Sequence, residues 1–174
     1  MAPKTASVTL DGDGLRFAGR VGSGHAIVLD NSEGNMGMRP AELVPLALAG
    51  CTAMDVVTIL RKKRQPMTGY EVRATGVQRD GQPAAFTHVD VLHVVDGDVE
   101  TDAVRRAIEL SATKYCAVGA TLVSGAVEVR HAYLIRRPGR PDETAEVLVE
   151  GPYLEPATAA TAATLATAAP ATPA

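Results

Sequence analysis

Residues 40–64, PAELVPLALAGCTAMDVVTILRKKR, decide the reading of this chain. Pro40 suits the first turn of a helix, where its missing N–H costs nothing. From there to about Lys63 the residues are mostly helix formers, and apolar side chains fall on nearly every face. The stretch therefore predicts a buried, central helix rather than an amphipathic surface one. Lys62, Lys63 and Arg64 close it, cations at the negative end of the helix dipole. Pro45 is expected to bend its first turns. Pro45, Gly50 and Asp55 also break the apolar run too often for a membrane span.

Outward on the N-terminal side, residues 7–30 read as a three-stranded meander. Val8 and Leu10 alternate with polar residues, and Asp11-Gly12-Asp13-Gly14 supplies a turn. Leu15 and Phe17 alternate again, and Gly22-Ser23-Gly24 turns the chain into His25–Leu29. Residues 31–38 are a glycine-bearing loop. On the other side, Tyr70–Val77 and Phe86–Val95 make a hairpin around Asp80-Gly81. Thr101 caps a second helix over residues 102–115, with Val104, Ala107, Ile108, Ser111 and Tyr115 inward. Val127, Val129, Tyr133 and Ile135 alternate along a last strand, and His131 shares their face.

The order of elements gives an α+β domain of antiparallel sheets with two core helices, over residues 1–137. A helix apolar all round needs cover that one thin sheet and one further helix do not supply, so dimerisation is expected. Residues 138–174 are rich in Pro, Ala and Thr, with too little apolar bulk to offset their ordering entropy. They read as a mobile C-terminal extension with one short strand at Glu146–Glu150.

Composition narrows the function. The chain has 174 residues, and 17 basic against 20 acidic side chains leave a formal charge of −3. That is no footprint for nucleic acid or an anionic membrane. With 3% aromatic residues and no Trp, platforms for stacking bases are not expected either. MAPKTASVTLDGDG lacks the apolar core of a signal peptide, so a cytoplasmic protein is the expectation. There, two cysteines serve as buried residues or redox groups rather than as a permanent staple.

Cys51 follows Gly50 inside the central helix, and Cys116 ends the second. Either alone reads most simply as a small core hydrophobe. Ala47, Ala49 and Ala53 leave room around Cys51, however, and Asp55 lies one turn later on its face. That carboxylate would raise a thiol pKa and needs a partner of its own. The cysteines form no CxxC and no zinc spacing, and His88 and His93 point to opposite faces of one strand, so no metal site or other cofactor is expected. There is no P-loop, GxGxxG or GxSxG. What is left open is whether the two thiols meet in space.

The segments RPAELVPLALAGCTAMDVVTILRKKR and LSATKYCAVGATL resemble the two cysteine motifs of the OsmC/Ohr family, most closely its YhfA-like branch. The likeness spans roughly residues 5–136, and the separation of 65 residues between the cysteines fits. The resemblance implies an intertwined homodimer and a thiol-dependent peroxidase. Cys51 would attack a peroxide and become a sulfenic acid, Cys116 would condense with it, and an external dithiol, a lipoyl protein or small thiol, would reduce the disulfide. It also implies an Arg and a Glu beside the first cysteine. Glu42 is the nearest match for the Glu, although it stands one place later than in the family, with Ala41 after the Pro. A straight helix would put Glu42 and Cys51 on opposite faces. Arg20 is the nearest match for the Arg, and Arg39 the other candidate. Against the enzyme stand a non-enzymatic dimeric binding protein, favoured by the displaced Glu, and a redox sensor on the same scaffold.

Overall fold

A computed structural model describes residues 2–125 and 127–148. These form two compact units divided between Val44 and Pro45.

The first unit is the expected meander: β1 (Ala6–Leu10), β2 (Phe17–Val21) and β3 (Ala26–Leu29), in the order β1-β2-β3. Both pairings are antiparallel, with Leu10 opposite Phe17 and Phe17 opposite Leu29. Buried Asp30 organises the loop that follows. Its carboxylate accepts hydrogen bonds from the backbone N–H of Asn31 at 2.8 Å and of Met36 at 3.0 Å. Gly34 is needed here, because a Cβ at that position would run into the same carboxylate. A single 3₁₀ turn, Pro40–Glu42, leads out of the loop.

The central helix α1 spans Leu43–Lys62, as its composition demanded, and runs unbroken through Pro45, Gly50 and Asp55. Pro45 lies in the first turn, where a missing N–H forfeits no intrahelical bond. Contrary to the expectation from its breaks, Pro40–Lys62 is by length and composition alone apolar enough to pass for a membrane-crossing helix, as the core helix of a soluble protein also can be. Leu48, Thr52, Val56 and Leu60 mark its buried side at helical spacing. The apolar ones are worth roughly 1.5–3 kcal/mol each.

Beyond α1, β4 (Met67–Gln78) and β5 (Phe86–Gly97) form the expected hairpin, longer than anticipated at both strands. Gly97 ends β5 at φ +129°, where a Cβ would collide with the Pro66 carbonyl. After α2 (Thr101–Leu110), a π turn (Ser111–Tyr115) and α3 (Ala117–Ser124), the chain returns as β6 (Glu128–Arg136). β6 pairs with β5 in parallel, His93 opposite Tyr133. This sheet is thus mixed, not wholly antiparallel, because the helical crossover brings β6 back in the direction of β5.

Two further expectations are corrected. The second helix is not one piece over 102–115 capped by Thr101. It starts at Thr101 after Glu100, since the Thr101 hydroxyl is taken by Glu143 at 2.7 Å. It then breaks at Leu110, and α3 follows as a third helix. The folded part also passes residue 137: β7 (Glu143–Val147) pairs with β6 from Ile135 to His131, and Val147 is buried. The strand expected at Glu146–Glu150 begins three residues earlier, and residues 149–174 lie outside the described residues.

The main core joins α1, α2 and the sheet through Val56, Leu60, Val95, Val104, Ile108 and Ile135. A second cluster holds Leu48, Val89, Val91, Val129 and Cys116, with Cys51 packed against it.

Candidate active site

The second cluster is where the thiols meet. Cys51 is half-buried on α1 and Cys116 is buried; neither is in a disulfide. Their sulfurs and a carboxylate oxygen of Asp55 all lie within 4.8 Å of one another. Cys51 and Asp55 share a face because they stand one turn apart on α1. Cys116 arrives from a different segment, and the π turn explains how. Its extra residue closes with the Cys116 N–H donating to the Ser111 carbonyl at 2.8 Å. The wide turn then hands the chain to α3, with Cys116 extended as its N-cap. Such insertions recur at functional sites because they re-aim side chains without ending a helical layer.

The same turn points Ser111 inward, fully buried. Its hydroxyl donates to Asp55 Oδ2 at 2.9 Å and lies 3.0 Å from Thr52 Oγ1. Asp55 therefore has a hydroxyl partner, and among the described residues it takes part in no ion pair. Ser111 was placed on the inward stripe by its spacing. Its role escaped the sequence reading because nothing local ties it to Asp55, 56 residues away. A polar side chain in an apolar stripe was the one signal.

Two effects compete at Cys116. The N-terminus of α3 favours a thiolate, and the Gly119 N–H donates to the sulfur at 3.3 Å. Burial opposes it, together with the hydrogen bond to Cys51 and the charges of Cys51 and Asp55. Burial wins: the Cys116 thiol is pushed up to about 12. Cys116 is held as a thiol at neutral pH.

Arg20, Arg39 and Glu42 belong to the first unit. Arg20 is exposed on β2. Arg39 pairs with Glu42 across the 3₁₀ turn, and its backbone N–H donates to Glu42 Oε2 at 3.0 Å. Those hydrogen bonds lower the carboxyl pKa of Glu42.

His93 and His131 stack in the core of the second unit, with ring centroids 5.5 Å apart. His131 shares the face of Val129, Tyr133 and Ile135, as the alternation required. Tyr70 Oη and His93 Nδ1 are 2.6 Å apart, and His93 Nε2 lies 3.2 Å from His131 Nδ1. Burial depresses both imidazoles, His131 to about 4 and His93 well below its usual range, helped by its neighbour. Both are neutral groups at pH 7.

No metal was expected from the spacing of the cysteines. Cys51, Asp55 and Cys116 nevertheless form a set of donors able to hold an ion. The linear sequence hid it because the three come from two distant segments.

Comparison with known proteins places this geometry. The model of the family described as "OsmC-like protein" matches residues 32–132. The chain is 43% identical to Protein YhfA of Escherichia coli over 122 residues, covering 70% of this chain and 90% of that one. A solved hypothetical protein from Aquifex aeolicus is 26% identical with a TM-score of 0.70, over 79% of this chain and 98% of its own. The organic hydroperoxide resistance protein from Elizabethkingia anophelis shares the fold with a TM-score of 0.57 at 14% identity, over 79% and 97%. The chain therefore belongs to the OsmC-like family.

Proposed function

We propose that the chain is a thiol-dependent peroxidase, reducing organic hydroperoxides or hydrogen peroxide through Cys51 and Cys116. The observation that carries the reading is two sulfurs within 4.8 Å of each other with unequal burial. Cys51, the more accessible, attacks as the thiolate. Its sulfur takes the distal peroxide oxygen as the O–O bond breaks, giving a sulfenic acid and an alcohol or water. Cys116, held as a thiol, then displaces the sulfenic hydroxyl. The S–S bond forms, and the Cys116 proton leaves with that hydroxyl as water. An external dithiol, a lipoyl protein or small thiol, returns both sulfurs to thiols by exchange.

Arg20 is the residue proposed to stabilise the Cys51 thiolate and Glu42 the one that orients it, with Arg39 the alternative cation; a homodimer is the assembly in which they act. A guanidinium near sulfur favours the anion and holds a peroxide oxygen. A cytoplasmic location suits two thiols kept reduced.

The alternative is a non-enzymatic dimeric binding or redox-sensing protein on the same scaffold. It is favoured by the carboxylate, rather than a cation, beside the thiols, and by the pairing of Glu42 with Arg39.

One equivalent of hydroperoxide added to the reduced protein separates the enzyme from a binding protein, and repeated turnover with excess dithiol separates it from a sensor. The enzyme loses two thiols per chain and gains an intramolecular disulfide. Cys51→Ser abolishes peroxide consumption, whereas Cys116→Ser accumulates sulfenic or over-oxidised Cys51. Two free thiols after peroxide, or consumption by Cys51→Ser, would leave the alternative standing.

A further inference from the structure

We infer that reduced Cys51, Cys116 and Asp55 form a binding site for one thiophilic divalent cation, with zinc the ion that fits. The inference does not rest on the peroxidase reading. It uses the donors as geometry and chemistry alone present them.

Three donor atoms converge within 4.8 Å, two of them sulfur. Tetrahedral zinc, with bonds of about 2.3 Å to sulfur, needs its sulfurs roughly 3.8 Å apart. The two sulfurs therefore have to close by about 1 Å at most, and the Asp55 oxygen by little more, a movement within the reach of side-chain rotation. Among the described residues nothing outside the helix lies within 4 Å of where a side chain at Gly50 would sit, so the helix is open just before Cys51.

The supporting contacts are those of a built site. Ser111 donates to Oδ2 of Asp55, fixing one carboxylate oxygen. Thr52, fully buried, backs Ser111. The Gly119 N–H already points at the Cys116 sulfur. Partners of this kind orient ligands in metal sites. Two thiolates and a carboxylate carry three negative charges, and among the described residues no cation pairs with Asp55. A divalent ion supplies the missing charge. Two S–Zn bonds replace two S–H bonds, and the two protons pass to solvent. Soft sulfur donors select zinc over magnesium or calcium. Three protein ligands leave a fourth position for water or a small molecule.

The test is anaerobic titration of the reduced, full-length chain with Co²⁺, then Zn²⁺. One equivalent of Co²⁺ per chain should bring up sulfur-to-cobalt charge transfer in the near ultraviolet, and zinc should displace it. Asp55→Asn keeps the shape and the hydrogen bond to Ser111. It should retain the sulfur band while weakening zinc about tenfold or more, and Ser111→Ala should cost about 10–100-fold. Bound zinc should also slow iodoacetamide labelling of Cys51 at least about tenfold in the unaltered chain, a readout that needs no variant to fold. Absence of the charge-transfer band from the folded, reduced chain would overturn the inference. So would zinc affinity unchanged by Asp55→Asn, or labelling indifferent to zinc. Peroxide consumption by metal-free protein is measured separately, so failure of one reading leaves the other intact.

Discussion

At the scale of single residues, the site turns on acids crowded together. The Cys116 thiol is raised by burial first and then by its hydrogen bond with Cys51. Cys51→Ala removes that bond and a neighbouring charge, so the Cys116 pKa should fall from about 12. The pH profile of Cys116 alkylation should move to lower pH, by about one unit for a hydrogen bond of ordinary strength. A profile that stays put would mean that burial alone holds the proton. His131 gives a second test. It folds neutral, with a pKa lowered from 6.5 to about 4. The unfolded chain takes up a proton between those values and the folded chain does not. Stability is therefore full above pH 6.5, falls as pH drops towards 4, and levels below that, losing about 3 kcal/mol from this group. His93 acts in the same direction. Thermal midpoints measured from pH 7 to pH 4 should drop steeply in the unaltered protein and less in His131→Gln. Parallel curves would remove His131 from the account.

At the scale of elements, β7 is the piece that composition concealed. ETAEV has one core-sized residue, and the prolines around it read as a tail. Tertiary contacts override that. Arg137, almost covered, reaches the Val99 carbonyl at 2.7 Å and Glu143 at 2.8 Å, and Glu143 accepts from Thr101. Truncation after Arg137 would strip the ladder from β6, open the space held by Val147 and leave the guanidinium without its carboxylate. Glu143 is partly exposed, so the ion pair itself adds little; the expected loss is about 1.5–3 kcal/mol, chiefly from Val147 leaving the core. A chain ending at Leu148 loses only a segment rich in Ala, Thr and Pro, and its thermal midpoint should match the full chain. Equal midpoints for both truncations would show β7 to be dispensable. The contrast marks what was legible. The meander, α1 and the β4–β5 hairpin announced themselves through alternation, turn residues and continuous apolarity, all local signals. The π turn and α3 did not, and β7 did so only as a short strand at Glu146–Glu150 within an extension, because each depends on a partner far away in sequence. The same division holds within the site. Two thiols could be expected to meet, and Asp55 to sit near Cys51, but Ser111 as the partner of Asp55 could not be read from a helix assumed regular.

At the scale of the molecule, the question is what covers the apolar surface that the described residues leave bare. On α1, Leu46 and Met54 are 56% and 74% exposed, two turns apart on one face with Gly50 between them. On the meander, Val8, Leu10, Val21 and Ile27 are exposed on one face of the sheet although their strands pair in full. Single exposed hydrophobes need no explanation, but rows of them along one helix face and across one sheet do. Burying a side chain such as Leu46 is worth roughly 1.5–3 kcal/mol, so several together can offset the ordering cost of association. A second copy of the same chain is the simplest partner, since a two-fold axis matches each row to its own complement. Light scattering at micromolar concentration should give about twice the 18.1 kDa chain mass. Met54→Glu places a charge at the most exposed end of the α1 row while touching no buried contact of the described chain. It should shift the equilibrium towards monomer without unfolding α1, as circular dichroism would report. If Arg20 or Glu42 serves Cys51 across that interface, the monomeric variant should also lose peroxide consumption with both thiols intact. A dimer unmoved by Met54→Glu would put the interface elsewhere, and a stable monomer of the unaltered chain would leave the exposed rows without a partner of its own kind.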